Sequence, residues 1–280
     1  NMDKSNFAFF GTPEVASETL EILFGAGYIP KVIVTSPDRR SGRGMHMTET
    51  PVALWAKNHN TECLKPEKIT PEFIEEFKKY DVDLSIVIAY GKIMPEDAIN
   101  LPKLGTINIH YSLLPKYRGA SPVEEALLNG DEITGVSIQQ MAYQLDSGPL
   151  IASLEVPIEK NETKTELLKR LTEIGAKLLR DKLPGILEGK INLSAQDESK
   201  ATFCKKLKKE DGLLDLDSDA ITNFNKYRAF QDWPGTYFFK NSKRIKIKKA
   251  KYEEDLFKIE RVIPEGKKEI SYIEFTRSTN

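Results

Sequence analysis

The sequence predicts an α/β chain: an open, mostly parallel sheet with helices on both faces, followed by a smaller, separate carboxyl-terminal domain. Three observations carry that expectation. Over roughly the first 190 residues, short apolar runs alternate with helix-periodic segments, the pattern of repeated βαβ units. Residues 84–89, Leu-Ser-Ile-Val-Ile-Ala, form an almost uninterrupted apolar run, as expected of a strand covered on both faces. The composition then shifts: residues 201–251 hold 13 Lys and Arg against 6 Asp and Glu, although the whole chain is nearly neutral at −1.

Residues 6–10 read as a short apolar strand ending at Gly11, residues 14–24 as a helix closed by Gly25 or Gly27, and residues 31–35 as the next strand. After the 84–89 strand the chain must turn at Tyr90-Gly91. Residues 105–110, 134–140 and 150–158 are further strands. Thr163 and Glu166 have capping-box spacing, and Leu167, Leu168, Leu171, Ile174, Leu178 and Leu179 recur at helical intervals as core positions. Pro184-Gly185 and Gly189 are expected to break that helix, and the polar stretch 190–201 reads as a linker. The resulting division is 1–189, a connection over 190–207, and 208–280. Within the last part, residues 243–251 alternate Lys or Arg with Ile and Ala, which suits a strand with one buried and one cationic face.

At 280 residues the chain is long for one domain and comfortable for two. With 30% charged residues and net charge −1 it suits a soluble protein and excludes a uniformly basic nucleic-acid coat, so a polyanion would bind a local patch. Cys63 and Cys204 lie far apart, and His46, His59 and His110 are the only histidines; the spacing offers no zinc site, and no metal is expected. No apolar run approaches the roughly 18 residues of a membrane span, and the start lacks a signal-peptide pattern. A cytoplasmic monomer with reduced thiols is the expectation, with Asn1, before Met2, read as a cloning remnant.

The most informative segments are residues 108–119, Asn-Ile-His-Tyr-Ser-Leu-Leu-Pro-Lys-Tyr-Arg-Gly, and residues 145–148, Leu-Asp-Ser-Gly. Asn108 and His110 are two apart near a strand end, so their side chains emerge from one face. Gly11, Tyr90-Gly91 and His110 all fall at carboxyl ends of strands, where open α/β sheets collect ligands. Gly11-Thr12-Pro13 lacks the Gly-x-Gly-x-x-Gly fingerprint, which argues against a nicotinamide site despite the Rossmann-like sheet.

Phe10 to Glu14 (Phe-Gly-Thr-Pro-Glu), Ala89-Tyr90-Gly91, residues 108–120 and residues 145–148 together resemble the ordered motifs of the 10-formyltetrahydrofolate-dependent formyltransferases. The resemblance implies a catalytic set of Asn108, His110 and Asp146. It implies a folate slot formed by Ile88, Ala89, Tyr90, Gly91 and Ile93, with Ser112, Leu113, Leu114 and Pro115 as the other wall. It also implies 10-formyltetrahydrofolate as cosubstrate. Residues 38–44, Asp-Arg-Arg-Ser-Gly-Arg-Gly, sit in a long loop after the second strand and resemble the loop that the tRNA-acting members place against the acceptor stem, with Arg43 at the functional arginine. Phe203 to Asp215 and the stretch around Trp233-Pro234-Gly235 resemble the barrel-like (OB-like) second domain of those members. The partner implied is initiator methionyl-tRNA, formylated for translation initiation.

One departure stands out. After Tyr252 several more strands are expected before a Gln-Pro-x-Gly-Lys-Lys element, whereas here Ile-Pro-Glu-Gly-Lys-Lys follows almost at once at residues 263–268. Either the barrel is shortened or a piece of it is missing from this sequence. In the implied chemistry Asn108 donates to the oxygen that gains charge, His110 adds a second donor, and Asp146 orients the ring or helps take the amine proton. Two alternatives stay open: a nucleotide-sugar amine formyltransferase, and a non-catalytic tRNA-binding protein on the same fold.

Overall fold

The computed structural model describes residues 3–279; Asn1 lies outside them. In chain order the elements are β1 (Phe7–Gly11), α1 (Glu14–Gly25), β2 (Val32–Val34), β3 (Arg39–Ser41), β4 (His46–Thr48), α2 (Pro51–Asn58), β5 (Cys63–Leu64), α3 (Pro71–Phe77), β6 (Leu84–Ile88), α4 (Glu96–Ile99), β7 (Thr106–His110), β8 (Arg118–Gly119), α5 (Pro122–Leu128), β9 (Ile133–Gln140), β10 (Leu150–Pro157), α6 (Lys164–Leu187), β11 (Phe203–Cys204), α7 (Ala220–Ala229), β12 (Thr236–Lys240), β13 (Lys243–Glu253), β14 (Leu256–Pro264), β15 (Ile270–Ser271) and α8 (Tyr272–Ser278). The chain forms two compact units, each assembled from three segments. Within the described residues, one holds 3–118, Gly135–Leu154 and Lys169–Ala201; the other holds Gly119–Thr134, Glu155–Leu168 and 202–279.

The first unit carries the large sheet, in the order β10-β9-β7-β6-β1-β2-β5. Strands β5, β2, β1, β6 and β7 run parallel and β9 runs antiparallel to β7, which agrees with the mostly parallel expectation. Strands β1, β2 and β6 are buried at every position, as their apolar composition requires. From β1 the chain steps outward to β2 and then returns to β6 on the opposite side, so the strand order reverses between β1 and β6. Gly11 ends β1 at that point because a side chain has no room: an added Cβ would lie 2.6 Å from the Ala16 Cβ and 2.8 Å from the Ile88 carbonyl oxygen. Helix α1 is thereby seated close against the sheet.

Helix α6 begins with the predicted reciprocal cap: Thr163 N donates to Glu166 Oε2 at 3.0 Å and Glu166 N to Thr163 Oγ1 at 3.4 Å. It does not stop at Pro184 as expected. Leu183 and Ile186 on either side are fully buried, and that burial outweighs the single backbone bond a proline removes; the helix ends only at Leu187, before Gly189 at φ +69°. Nor is the 190–201 stretch a free connection, because Leu150 and Ser194 pair as an antiparallel bridge and Gln196 is buried.

The second unit contains a four-stranded sheet, β12-β13-β14-β15, antiparallel throughout. Among the described residues it is an open sheet rather than a closed barrel. Its core gathers Phe224, Phe238, Ile245, Ile247, Val262 and Phe275. Strand β13 has the expected buried and cationic faces, with one irregularity: Lys248 and Lys249 are adjacent, and a bulge between Ile247 and Ala250 restores inward pointing at Ala250.

Candidate active site

Strand β7 is buried except at Asn108, which is half-buried and faces outward from the sheet surface. Antiparallel pairing sets Gln139 opposite Asn108 and Ser137 opposite His110, so four polar residues share one face. Asn108 Nδ2 donates to the Val87 carbonyl at 2.8 Å, while its Oδ1 accepts from Gln139 Nε2 at 3.1 Å. The amide orientation is fixed by both contacts, and one Nδ2 hydrogen remains for a ligand. His110 Nε2 lies 2.8 Å from the Tyr117 carbonyl, which can only accept, so that nitrogen carries the hydrogen. Nδ1 therefore faces Asp146, whose Oδ2 is 3.7 Å away, beyond hydrogen-bond reach.

Asp146 is held by its loop. Its backbone is left-handed at φ +50°, a conformation that aspartate tolerates better than most residues. Two residues on, Gly148 admits no side chain: an added Cβ would fall 1.7 Å from the Gln140 carbonyl oxygen. Gln196 Nε2 donates to the Asp146 and Gly148 carbonyls at 2.8 and 2.7 Å. Its Oε1 accepts from Arg118 Nε and Nη2 at 3.2 and 2.9 Å, and Arg118 in turn bonds both oxygens of Glu198. The Glu198 carboxylate raises the Arg118 guanidinium above its ordinary range, chiefly through that hydrogen bond. The three residues predicted as catalytic are thus brought together, with side chains only 8 and 13% exposed at His110 and Asp146. Sequence reasoning missed Gln139, Gln196 and Arg118 as their supports. Register across a strand pair and long-range contact leave no mark in a single sequence.

The strand reversal opens a cleft of about 490 Å³, lined by Thr12, Pro13, Ser36, Pro37, Arg39, Ser41, Thr48, Glu49, Thr50, Ala89, Tyr90 and Gly91. Thr12 Oγ1 ties two sides of it together, donating its one hydrogen to the Tyr90 carbonyl at 3.1 Å and lying 3.2 Å from Ser36 Oγ, whose hydroxyl can donate in return. Burial pushes the Tyr90 hydroxyl up to about 12, so it stays protonated near neutrality. Of the residues expected in a folate slot, Ala89 and Gly91 turn with left-handed backbones at the cleft rim (φ +48° and +77°). Ile93 exposes 88% of its surface. Ile88 and Ser112 are fully buried, Leu114 and Tyr90 nearly so, and Leu113 and Pro115 are half-buried. The 112–115 wall is fastened to β9, for Ser137 Oγ donates to the Ser112 carbonyl at 2.7 Å and accepts from Leu114 N at 3.1 Å. Of the residues expected in the slot, Ala89, Tyr90 and Gly91 line the cleft, whereas Ile88, Ile93 and 112–115 are not among its lining residues.

Arg43 lies exposed in the turn of a β3–β4 hairpin that the sequence had suggested only as a loop. Lys65 Nζ clamps the hairpin's base, bonding Asp38 before it at 2.7 Å and Glu49 after it at 3.2 Å.

Comparison with known proteins decides the family. The formyl transferase family matches residues 6–183, and the formyl transferase C-terminal domain matches residues 206–270. The chain belongs to the formyl transferase family. Among its relatives, the methionyl-tRNA formyltransferase of Sulfurihydrogenibium sp. (strain YO3AOP1) is 40% identical over 248 residues, spanning 88% of this chain and 80% of that protein. The methionyl-tRNA formyltransferase of Thermotoga maritima is 42% identical over 240 residues, spanning 85% and 77%. Solved structures share the fold at lower identity. The N-formyltransferase of Helicobacter canadensis, crystallised with folinic acid and dTDP-3-aminofucose, superposes with a TM-score of 0.65 at 16% identity over 95% of this chain and 98% of its own. HypX of Aquifex aeolicus with tetrahydrofolic acid gives 0.67 at 16% over 98% and 47%. Membership in this family goes with formyl transfer from a folate-type donor. Among the described residues there is no cluster of metal-ligating side chains and no helix long and apolar enough to cross a membrane.

Proposed function

We propose that this formyltransferase moves the formyl group of 10-formyltetrahydrofolate to the α-amino group of methionyl-initiator tRNA, in the cytoplasm. The observation that carries the reading is the convergence of Asn108, His110 and Asp146 at the carboxyl end of β7, in a chain about 40% identical to methionyl-tRNA formyltransferases along most of its length. The folate supplies the formyl group, whose oxygen gains negative charge as the amine adds. The free Nδ2 hydrogen of Asn108 donates to that oxygen, a contact whose loss typically costs about 2.7–4 kcal/mol of barrier. His110 presents Nδ1 on the same side and, when protonated, gives a second donor. Asp146 faces the ring and the incoming amine, orienting the one and accepting a proton from the other, directly or through water; collapse of the adduct then breaks the bond to N10, which takes up a proton as tetrahydrofolate leaves. An α-amino group, with a pKa of about 7.7–8.0, needs only modest help to lose its proton.

Ala89, Tyr90, Gly91 and Ile93, with 112–115 opposite, would hold the pterin. Arg43 on its exposed hairpin and the basic residues of 208–280 would hold the RNA backbone with salt-dependent affinity. The test is transfer of radiolabelled formyl from 10-formyltetrahydrofolate to methionyl-initiator tRNA, run beside an amino-sugar nucleotide. Label in the charged tRNA alone is the expected result. Label only in the sugar overturns the acceptor, and label in neither overturns the enzymatic reading in favour of RNA binding alone.

A further inference from the structure

We propose that Gln139 is a positioning residue for formyl transfer, one amide nitrogen holding both Asn108 and Asp146 in their working orientations; this rests on the roles assigned to those two residues above. Gln139 Nε2 lies 3.1 Å from Asn108 Oδ1 and 3.0 Å from Asp146 Oδ1. An amide nitrogen has two hydrogens, and here each has one oxygen to meet. The reverse amide orientation would set a carbonyl against a carboxylate and a second carbonyl, so the assignment is fixed by the acceptors.

The consequences fall on both partners. With Oδ1 engaged by Gln139 and one Nδ2 hydrogen on the Val87 carbonyl, Asn108 cannot swing, and its remaining hydrogen points where a formyl oxygen is to be met. With Oδ1 engaged, Asp146 keeps Oδ2 toward His110 Nδ1 at 3.7 Å. Two side chains from separate strands and loops are thereby coupled through a third that stands opposite Asn108 in the sheet.

The arrangement has a cost that an apolar residue would avoid. Gln139 is 2% exposed, and its Oε1 is buried without a hydrogen-bond partner among the described residues. A buried unpartnered carbonyl lowers stability, so an amide kept at this position for packing alone would be a poor choice against Met or Leu. Its donor half is what the position uses.

The test compares Gln139→Met, similar in length but with no donor, and Gln139→Glu, similar in shape but offering oxygens to both partners, with wild type and Asn108→Ala. For Gln139→Met we expect kcat to fall roughly 10- to 100-fold, the loss typical of a misplaced catalytic group, with KM for both substrates held within about twofold. Its Tm should change little, because loss of the orphan carbonyl offsets leaving Asn108 Oδ1 and Asp146 Oδ1 without their shared donor. Gln139→Glu should lose more kcat than Gln139→Met. Wild-type kcat in Gln139→Met overturns the proposal, as does a loss that appears equally in KM and Tm, which would mark a structural role. If Asn108→Ala is inactive while Gln139→Met is not, the positioning role alone falls; if wild type itself transfers no formyl group, the reading beneath falls and takes the proposal with it.

Discussion

The carboxyl end of β7 and the β3–β4 hairpin flank the same reversal of strand order, and they are built in opposite ways. At β7 each polar atom assigned to chemistry is steered by a buried partner: Asn108 by Val87 and Gln139, His110 by Tyr117, the Asp146 loop by Gln196. In the hairpin Lys65 holds the base and the Ser41 and Thr48 hydroxyls share a hydrogen bond, while every residue of both strands and Arg43 between them is exposed. Acyl transfer needs donors fixed within fractions of an ångström before the substrate arrives, since reorganisation during the reaction adds to the barrier. A polyanion is recognised by charge through solvent, where long, hydrated side chains serve without being fixed. Under the proposed function, rigid where bonds would change and solvated where a partner would dock is the division the two regions express.

Substitutions on either side sharpen it. The largest effect is expected of Gly148→Ala, whose methyl group would meet the Gln140 carbonyl at 1.7 Å; displacement of the Asp146 turn should abolish activity and cost about 4 kcal/mol or more of stability, read from denaturant melts. Asn108→Ala should leave the fold intact by circular dichroism and reduce kcat by about 2.7–4 kcal/mol of barrier. Gln196→Leu leaves two loop carbonyls without their shared donor; about 1–3 kcal/mol of stability should be lost, with kcat falling as Asp146 drifts. The smallest effect belongs to the hairpin. Arg43→Ala should raise KM for the RNA, lower the slope of log affinity against log salt by about one, and leave Tm and saturated kcat near wild type.

Much of this molecule was legible in its sequence, for identifiable reasons. The βαβ pattern shows because β1, β2 and β6 are buried on both sides and so read as apolar runs, and because α6 announces its start with Thr163 and Glu166. Asn108 and His110 shared a face because a strand repeats every two residues. Asp146 and Gly148 were marked only by resemblance, and the structure supplies the cause: one needs a left-handed turn and the other a missing side chain. What stayed hidden has causes too. The hairpin strands are three residues long and exposed on both faces, so they carry no alternation. Pro184 signals a helix end locally, yet the buried Leu183 and Ile186 carry the helix past it. Gln139 and Gln196 act through pairings to residues 31 and 50 positions away, which propensity and periodicity do not encode.

The most direct measurement is the single-turnover rate of formyl transfer to methionyl-initiator tRNA, with donor and RNA saturating, in wild type, Asn108→Ala and Arg43→Ala. A division into a fixed chemical end and a solvated docking end predicts a rate near wild type for Arg43→Ala and a loss of about 10²–10³-fold for Asn108→Ala. Equal rates for wild type and Asn108→Ala, or a collapse confined to Arg43→Ala, would contradict it.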